Sequence, residues 1–432
     1  MAFNIALSGL NAAQTDLDVK GNNISNASTT GFKRSRAEFG DLYSSGLQNL
    51  GDTAAGDGVS VQNTRQLFQQ GNVTSTSNGL DMAIDGEGFF VTESPNGERQ
   101  FTRSGQFGVN EEGFVTNNQG ARVQGFQADD DGEVGDVRGD LEVNTENLAP
   151  KSTTNVAANL NLDSRETVPE EEDFDSSEPN SYNHSTTSTI YDSLGNPHEM
   201  SQYFVKQGSG DNEWKSHLEI DGKPVGNEEK INNGQEGFKL EFEENGSLDT
   251  EGSDEIRIDT WQPEDENGDP NGAEGPVTGG DPTADNSNFA IDYSDTTQVG
   301  SEFAVNDLQQ NGFATGRLTG LDVSEEGVIQ ARFSNGESEA LGQVALANFR
   351  NSEGLASVGD TSWVETIDSG DAVISRPNTG PLGAIQSSSL EESNVDLSEQ
   401  LVGLITAQRN FQANSKTIET SDQITQTIIN LR

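Results

Sequence analysis

The chain has 432 residues, 73 of them acidic against 24 basic, for a formal net charge of −49, and such a surface repels nucleic-acid phosphates and anionic lipid. It contains no cysteine, which excludes disulfides, thiol nucleophiles and thiolate metal sites. Only 30% of residues are hydrophobic, while 48 are glycine and 12 proline, so its cores are lean and its middle reads as β-rich rather than helical.

The first predicted element runs from Met1 to about Arg34. Phe3, Leu10, Leu17 and Ile24 recur every seven residues, with Ala6, Leu7 and Ala13 beside them, which is the stripe of a coiled-coil seam. Ser25 to Gly31 then breaks the pattern with turn formers. From Phe32 to about Asn78 the chain reads as a polar connector, loop-like over Gly51–Gly58, with a strand beginning at Val59. From Gly79 to about Val143 short alternating runs are punctuated by glycine, including a hairpin turn at Asn96-Gly97. This is a small antiparallel β domain. Within it, Gly86-Glu87-Gly88 leads into Phe89-Phe90-Val91 as a tight turn using glycine where φ is positive. It is not a phosphate loop, because no helix and lysine follow.

Asn155 to about Tyr293 is a different, strongly acidic segment that carries all three histidines. Glu170-Glu171-Glu172-Asp173 reads as a solvated loop, and a hairpin turns over Ser193–Pro197. Further strands end at Asp221-Gly222 and Asn245-Gly246, and Phe238, Leu240 and Phe242 alternate with charged residues as one half-buried strand. At the far end Leu397, Leu404, Phe411 and Ile418 again recur every seven residues, with Leu401 added, after a candidate capping box at Asp396–Glu399.

Two matching stripes at opposite ends pair with each other or with copies of themselves. Ordering roughly fifty-five residues of helix costs about as much as the burial and hydrogen bonding of one helix pair return. The ends are therefore expected to be largely unfolded in an isolated chain and to fold against neighbouring copies. The simpler reading is a helical clasp closing a monomer.

Catalysis finds no support in the spacing of residues. No Ser/His/Asp arrangement or H-E-x-x-H motif occurs, and His184, His198 and His217 stand apart in exposed or hydrogen-bonded settings. Asp265–Gly272 and Asp129–Glu133 have the composition of calcium loops. An EF-hand starting at Asp265 would place Pro276 where its last carboxylate is needed, so that match fails. Trp214, Trp261 and Trp363 read as core. The expectation is a non-enzyme with no catalytic residues, no cofactor and no metal site. Self-repulsion at this charge density needs screening, and at molar salt the Debye length is about 3 Å. The composition therefore points to a concentrated brine, with an acidic recognition surface or divalent-ion binding as competing readings. No run of about eighteen apolar residues crosses a membrane, and no basic patch with an apolar core marks a cleaved secretory signal.

Several stretches resemble the bacterial flagellar rod and hook axial proteins. Ser8–Ala13, Asn22–Asn26 and Thr30-Gly31-Phe32-Lys33 resemble their N-terminal signature, and Ser393–Leu397 with Ala407–Asn414 their C-terminal one. Ile84–Val91, containing Gly86, Gly88, Phe89 and Phe90, with Phe101-Thr102-Arg103-Ser104-Gly105 behind it, is similar to a turn of the same family. Tyr191–His198 is similar to a motif of the inserted outer domain of the hook members, and the shorter rod members lack an insertion of this size. Gln309–Gly312, Gly316–Gly320, Phe333–Gly336 and Leu341–Phe349 resemble the second half of the inner domain.

The resemblance implies a mainly β, multidomain protein with terminal α-helices pairing as a coiled coil in a nested layout. The expected segments are a helix over 1–34, a connector over 35–78 and the inner β domain over 79–150. An acidic outer β domain follows over 151–296, the inner domain resumes over 297–378, and the C-terminal helical segment spans 379–432. It also implies a structural subunit that polymerises through Phe3, Leu7, Leu10, Ala13, Leu17, Ile24, Leu397, Leu401, Leu404, Phe411 and Ile418 into a curved, torque-transmitting tube. Its implied partners are further copies of itself, the distal rod, the hook cap, the hook–filament junction proteins and the flagellar export apparatus. No nucleic acid or membrane is among them. The implied location is the extracellular flagellum, reached through the flagellum's own channel without a cleaved signal peptide. The alternatives are a distal rod subunit or, from another class, a secreted acidic calcium-dependent adhesin or binding module.

Overall fold

A computed structural model describes residues 2–42, 56–129, 132–144, 146–171, 173–208, 212–227, 237–265 and 267–430. The loop read at Gly51–Gly58, both calcium-like loops and the acidic run at Glu170–Asp173 fall partly outside these residues. The chain forms two compact units, and the nested order is clear: Met1–Thr145, Thr319–Arg332 and Ser338–Arg432 build the first, Glu146–Leu318 with Phe333–Glu337 the second. No helix of the described residues is long and apolar enough to cross a membrane.

The first unit is a β body with a helix from each end of the chain. Period-two alternation sends Phe90 into one core, with Met82, Ile84, Phe107, Val123 and Leu346. It sends neighbouring Phe89 into a second, with Val91, Phe101, Phe349 and Trp363. The strand Phe89–Glu93 is consequently buried on both faces. The strands Met82–Asp85 and Val73–Ser75 pair with Ala384–Ser387 and Ser389–Glu391, so the last strands before the C-terminal helix are stitched to early ones. The stretch read as a connector contains a hairpin, Ser35–Leu42 against Gly58–Gln66. The second of these strands is the one read from Val59; the first buries only Ala37 and shows no clear alternation of apolar residues.

The helices are α1, Ala2–Ser25, and α2, Leu397–Asn430. The first ends where the turn formers begin. Asp396 caps the second through its Oδ1, which accepts the amides of Ser398 and Glu399 at 2.8 and 3.0 Å. Glu399 does not complete a capping box; its carboxylate accepts from Arg34 instead.

The second unit is a sandwich of two five-stranded sheets around one core holding Phe204, Trp214, Trp261 and Phe289. Its long strand Asn155–Asp163 pairs in parallel with Phe289–Asp292 and Thr297–Val299, and antiparallel with Ala304–Gln310. Residues 297–318, which the sequence reading joins to the inner domain, therefore pack here, held by their pairing to that strand. The half-buried strand is seen at Phe238–Glu241, with Phe238 and Leu240 inward.

Candidate functional site

The residues of the two terminal signatures meet where the two helices join the β body. α1 and α2 run antiparallel: Asn23 donates to the Gln400 side chain at 3.1 Å, a Cβ placed on Gly403 would lie 2.9 Å from Lys20, and one on Gly9 would lie 2.8 Å from Asn414. Buried Ala6, Ala13 and Ala407 continue the same spacing. The close approaches are thus made at small and polar side chains. Leu10, Leu17, Ile24, Leu404, Phe411 and Ile418 are half-buried, while Phe3, Leu7, Leu397 and Leu401 are exposed. Leu401 is 50% and its neighbour Val402 65% exposed, so the apolar stripe of α2 lies open on the single chain.

Below the helices lies a polar junction that sequence reasoning did not assign. Asn23 is buried and holds both backbone groups of Ser35, accepting from its amide at 2.9 Å and donating to its carbonyl at 2.8 Å. Asn394 accepts from the Arg34 amide at 2.8 Å and donates to the carbonyls of Leu67 and Gln69. One asparagine of each terminal signature therefore ties its own segment to a distant one. At the centre, Lys33 donates to Glu391 at 2.5 Å and to the Gln69 carbonyl at 2.8 Å, and Arg103 reaches the other carboxylate oxygen at 3.2 Å. All three side chains are buried. Burial holds the Lys33 ammonium below its ordinary pKa; Glu391 opposes that shift and the Arg103 charge adds to it. The only sequence signal was a lysine inside Thr30–Lys33 and an arginine inside Phe101–Gly105, each unremarkable alone.

The signature turn is structural. Gly86 and Gly88 have φ of 121° and 126°, and the Gly86 carbonyl accepts from Arg103. Phe89 and Phe90 are the core residues described above.

The histidines are structural too. His198 lies 2.6 Å from Asp221 and 3.3 Å from Asp192, while His184 stacks on Phe303 and His217 on Phe174. Trp214, Trp261 and Trp363 are buried core residues. Among the described residues no group of three or more His, Asp or Glu is placed to hold a metal ion.

Comparison with known proteins places this architecture. The profile described as "Flagella basal body rod protein" matches residues 3–33, and "Flagellar hook protein FlgE/F/G D1 domain" matches 83–161. "Flagellar basal body protein FlaE D2 domain" matches 161–313, and "Flagellar basal body rod FlgEFG protein C-terminal" matches 386–431. The flagellar hook protein FlgE of Salmonella typhimurium strain LT2 is 37% identical over 435 residues, covering 100% of both chains. The chain belongs to the flagellar hook protein family. Hook proteins of Treponema pallidum and Borreliella burgdorferi are 32% and 33% identical, each over 99% of this chain and 98% of theirs. The crystal structure of Helicobacter pylori flagellar hook protein FlgE2 shares the fold, with a TM-score of 0.52 at 13% identity, over 74% of this chain and 100% of that one. In hook-family terms, the first and last profiles cover α1 and α2, and the outer-domain profile falls on the sandwich unit.

Proposed function

We propose that this chain is the non-enzymatic building block of a flagellar hook, polymerising through α1 and α2 into a curved tube that carries motor torque to the filament. The observation that carries this reading is the run of exposed Leu397, Leu401, Val402 and Ile405 on α2, with exposed Phe3 and Leu7 of α1 at the other end of the helix pair. An apolar stripe left open on one chain is covered by other copies in a polymer. Dry, interlocking helix contacts resist twist. Wet polar contacts between outer units are individually weak and slide as each row of subunits shortens and lengthens. The other partners are those at the ends of such a tube: distal rod, hook cap and hook–filament junction proteins, with the flagellar export apparatus delivering the chain. The acidic segment 146–318 argues against a distal rod subunit, whose members lack an insertion of this size.

Electron microscopy of the purified chain in concentrated salt tests the reading: tubes are expected, and globular monomers at every salt concentration would refute it. With a net charge of −49 the copies repel one another unless screened, so dilution to low salt is expected to dissolve the tubes. Turbidity indifferent to salt would remove the brine-habitat argument. Replacing Glu146–Leu318 by a short Gly/Ser linker leaves the terminal helices in place. Such a chain is expected to build tubes of altered curvature or stiffness, visible in the same micrographs.

A further inference from the structure

We propose that Lys33, Arg103 and Glu391 form a closure lock, through which the N-terminal and C-terminal segments of the first unit dock together or not at all. Lys33 follows α1, Arg103 leaves the strand Arg99–Thr102 of the β body, and Glu391 ends the strand Ser389–Glu391 ahead of α2. The first 103 residues thus bring two cations into one dry site. The carboxylate that bonds both of them lies 358 residues after Lys33 in the chain. Without Glu391, the hydrogen-bond partners left among the described residues are the Gln69 carbonyl for Lys33 and the Gly86 carbonyl for Arg103, which also faces the Phe89 ring. Two buried like charges of that kind are strongly destabilising.

Glu391 does more than neutralise. Its carboxylate accepts from the Gly71 amide at 2.8 Å and its own carbonyl accepts from the Gly31 amide at 2.8 Å. It also sits in register with Val73 in the adjoining strand pair. One residue of the C-terminal segment therefore fixes the chain on both sides of Lys33, and neither end has a finished seat until the other arrives. Glu87 is the other charged group felt at Arg103, and it lies in the same body as Arg103 rather than on either end.

The test is hydrogen exchange on the full chain, resolved by peptide, in the salt where it polymerises. In Glu391→Gln, exchange around Gly31, around Gly71 and in strands Val73–Ser75 and Ser389–Glu391 is expected to rise together by about a hundred-fold or more. The strands Phe89–Glu93 and Arg122–Ala128 keep their protection. Adding Lys33→Met, which removes one of the two stranded cations, is expected to recover most of that loss, whereas a merely bulky defect would not respond. Lys33→Met alone leaves the Arg103–Glu391 pair and has a small effect. Deprotonating Lys33 relieves the repulsion by the same logic. The urea midpoint of Glu391→Gln is therefore expected to climb as pH rises towards 10, from a lower pH than in the wild type, because the carboxylate that holds the proton on Lys33 is gone. Release of one segment while the other stays protected, unprotected Gly31 and Gly71 amides in the wild type, or a Glu391→Gln loss that Lys33→Met does not reduce would each overturn the lock.

Discussion

Leu401→Asp is expected to abolish tube formation while leaving both units of the lone chain folded. The side chain is half open to solvent and belongs to neither core, so in an isolated chain the change belongs with surface substitutions worth about 0.5 kcal/mol or less. In a polymer every copy would have to desolvate the same carboxylate against the apolar stripe of its neighbours. Burying an unpaired charge costs several kcal/mol. A penalty of about 4 kcal/mol per added subunit raises the concentration needed for growth roughly a thousand-fold, which takes assembly out of reach. Leu10→Asp and Phe411→Asp are expected to act in the same direction, but both residues are half-buried in the single chain, so their effects mix folding with assembly. Leu401 is the cleaner test. Sedimentation and electron microscopy in concentrated salt read the outcome, with circular dichroism as the control for folding. Normal tubes from Leu401→Asp would remove the helices from the assembly surface.

Small residues let the two helices approach closely. Helix axes approach to about 8 Å only where the facing residues are small, and Gly9, Ala13, Gly403 and Ala407 supply that face. Leu404, Phe411 and Ile418 alternate with Gln400, Ala407 and Asn414 along the covered face of α2, whereas Leu397, Leu401, Val402 and Ile405 face solvent.

That division was only half legible beforehand. A seven-residue recurrence of large apolar residues is conspicuous in a chain that is 30% hydrophobic, and it located both helices. It placed Ala6 and Ala13 on the seam, where they are buried, but left open whether the stripe meets its partner in the same chain or in another copy. Turns were readable where chemistry dictates them, as at Asn96-Gly97, where the Gly97 φ is 80°. The parallel pairing of Asn155–Asp163 with Thr297–Val299 was not, since nothing local records a partner so far along the chain. Nor did any pattern single out Lys33, Arg103 and Glu391, or the cross-links made by Asn23 and Asn394. Isolated polar residues announce burial only once the fold has brought their partners to them. Of the pair Ser35–Leu42 and Gly58–Gln66 only the second was readable, from Val59; the first buries Ala37 alone and offers no period to detect.

Gly31→Val is expected to detach α1 from the β body and to stop assembly by a route independent of the helix surface. Gly31 is buried, has φ of 69°, and its amide donates to the Glu391 carbonyl at 2.8 Å. A β-branched residue in that left-handed region is strained by about 1–2 kcal/mol before any contact is counted. A Cβ there would also lie 2.4 Å from the Ser104 nitrogen and 2.7 Å from the Arg103 carbonyl carbon. Those are main-chain atoms and cannot turn aside as a side chain would, so either the Thr30–Lys33 segment or the Arg103–Ser104 segment must move. Moving either one pulls Lys33 or Arg103 off Glu391. The combined cost is put at about 3 kcal/mol or more, in the class of substitutions that breach a special backbone position. Hydrogen exchange should locate the damage: faster exchange in α1, in Val73–Ser75 and in Ser389–Glu391, with the sandwich unit 146–318 exchanging as in the wild type. Gly31→Ala places the same Cβ against the same backbone and should reproduce most of the effect, which separates the close approach from the bulk of valine. If the valine chain kept wild-type protection in α1 and still built tubes, the contact between the two signature segments would be no more than a coincidence of packing.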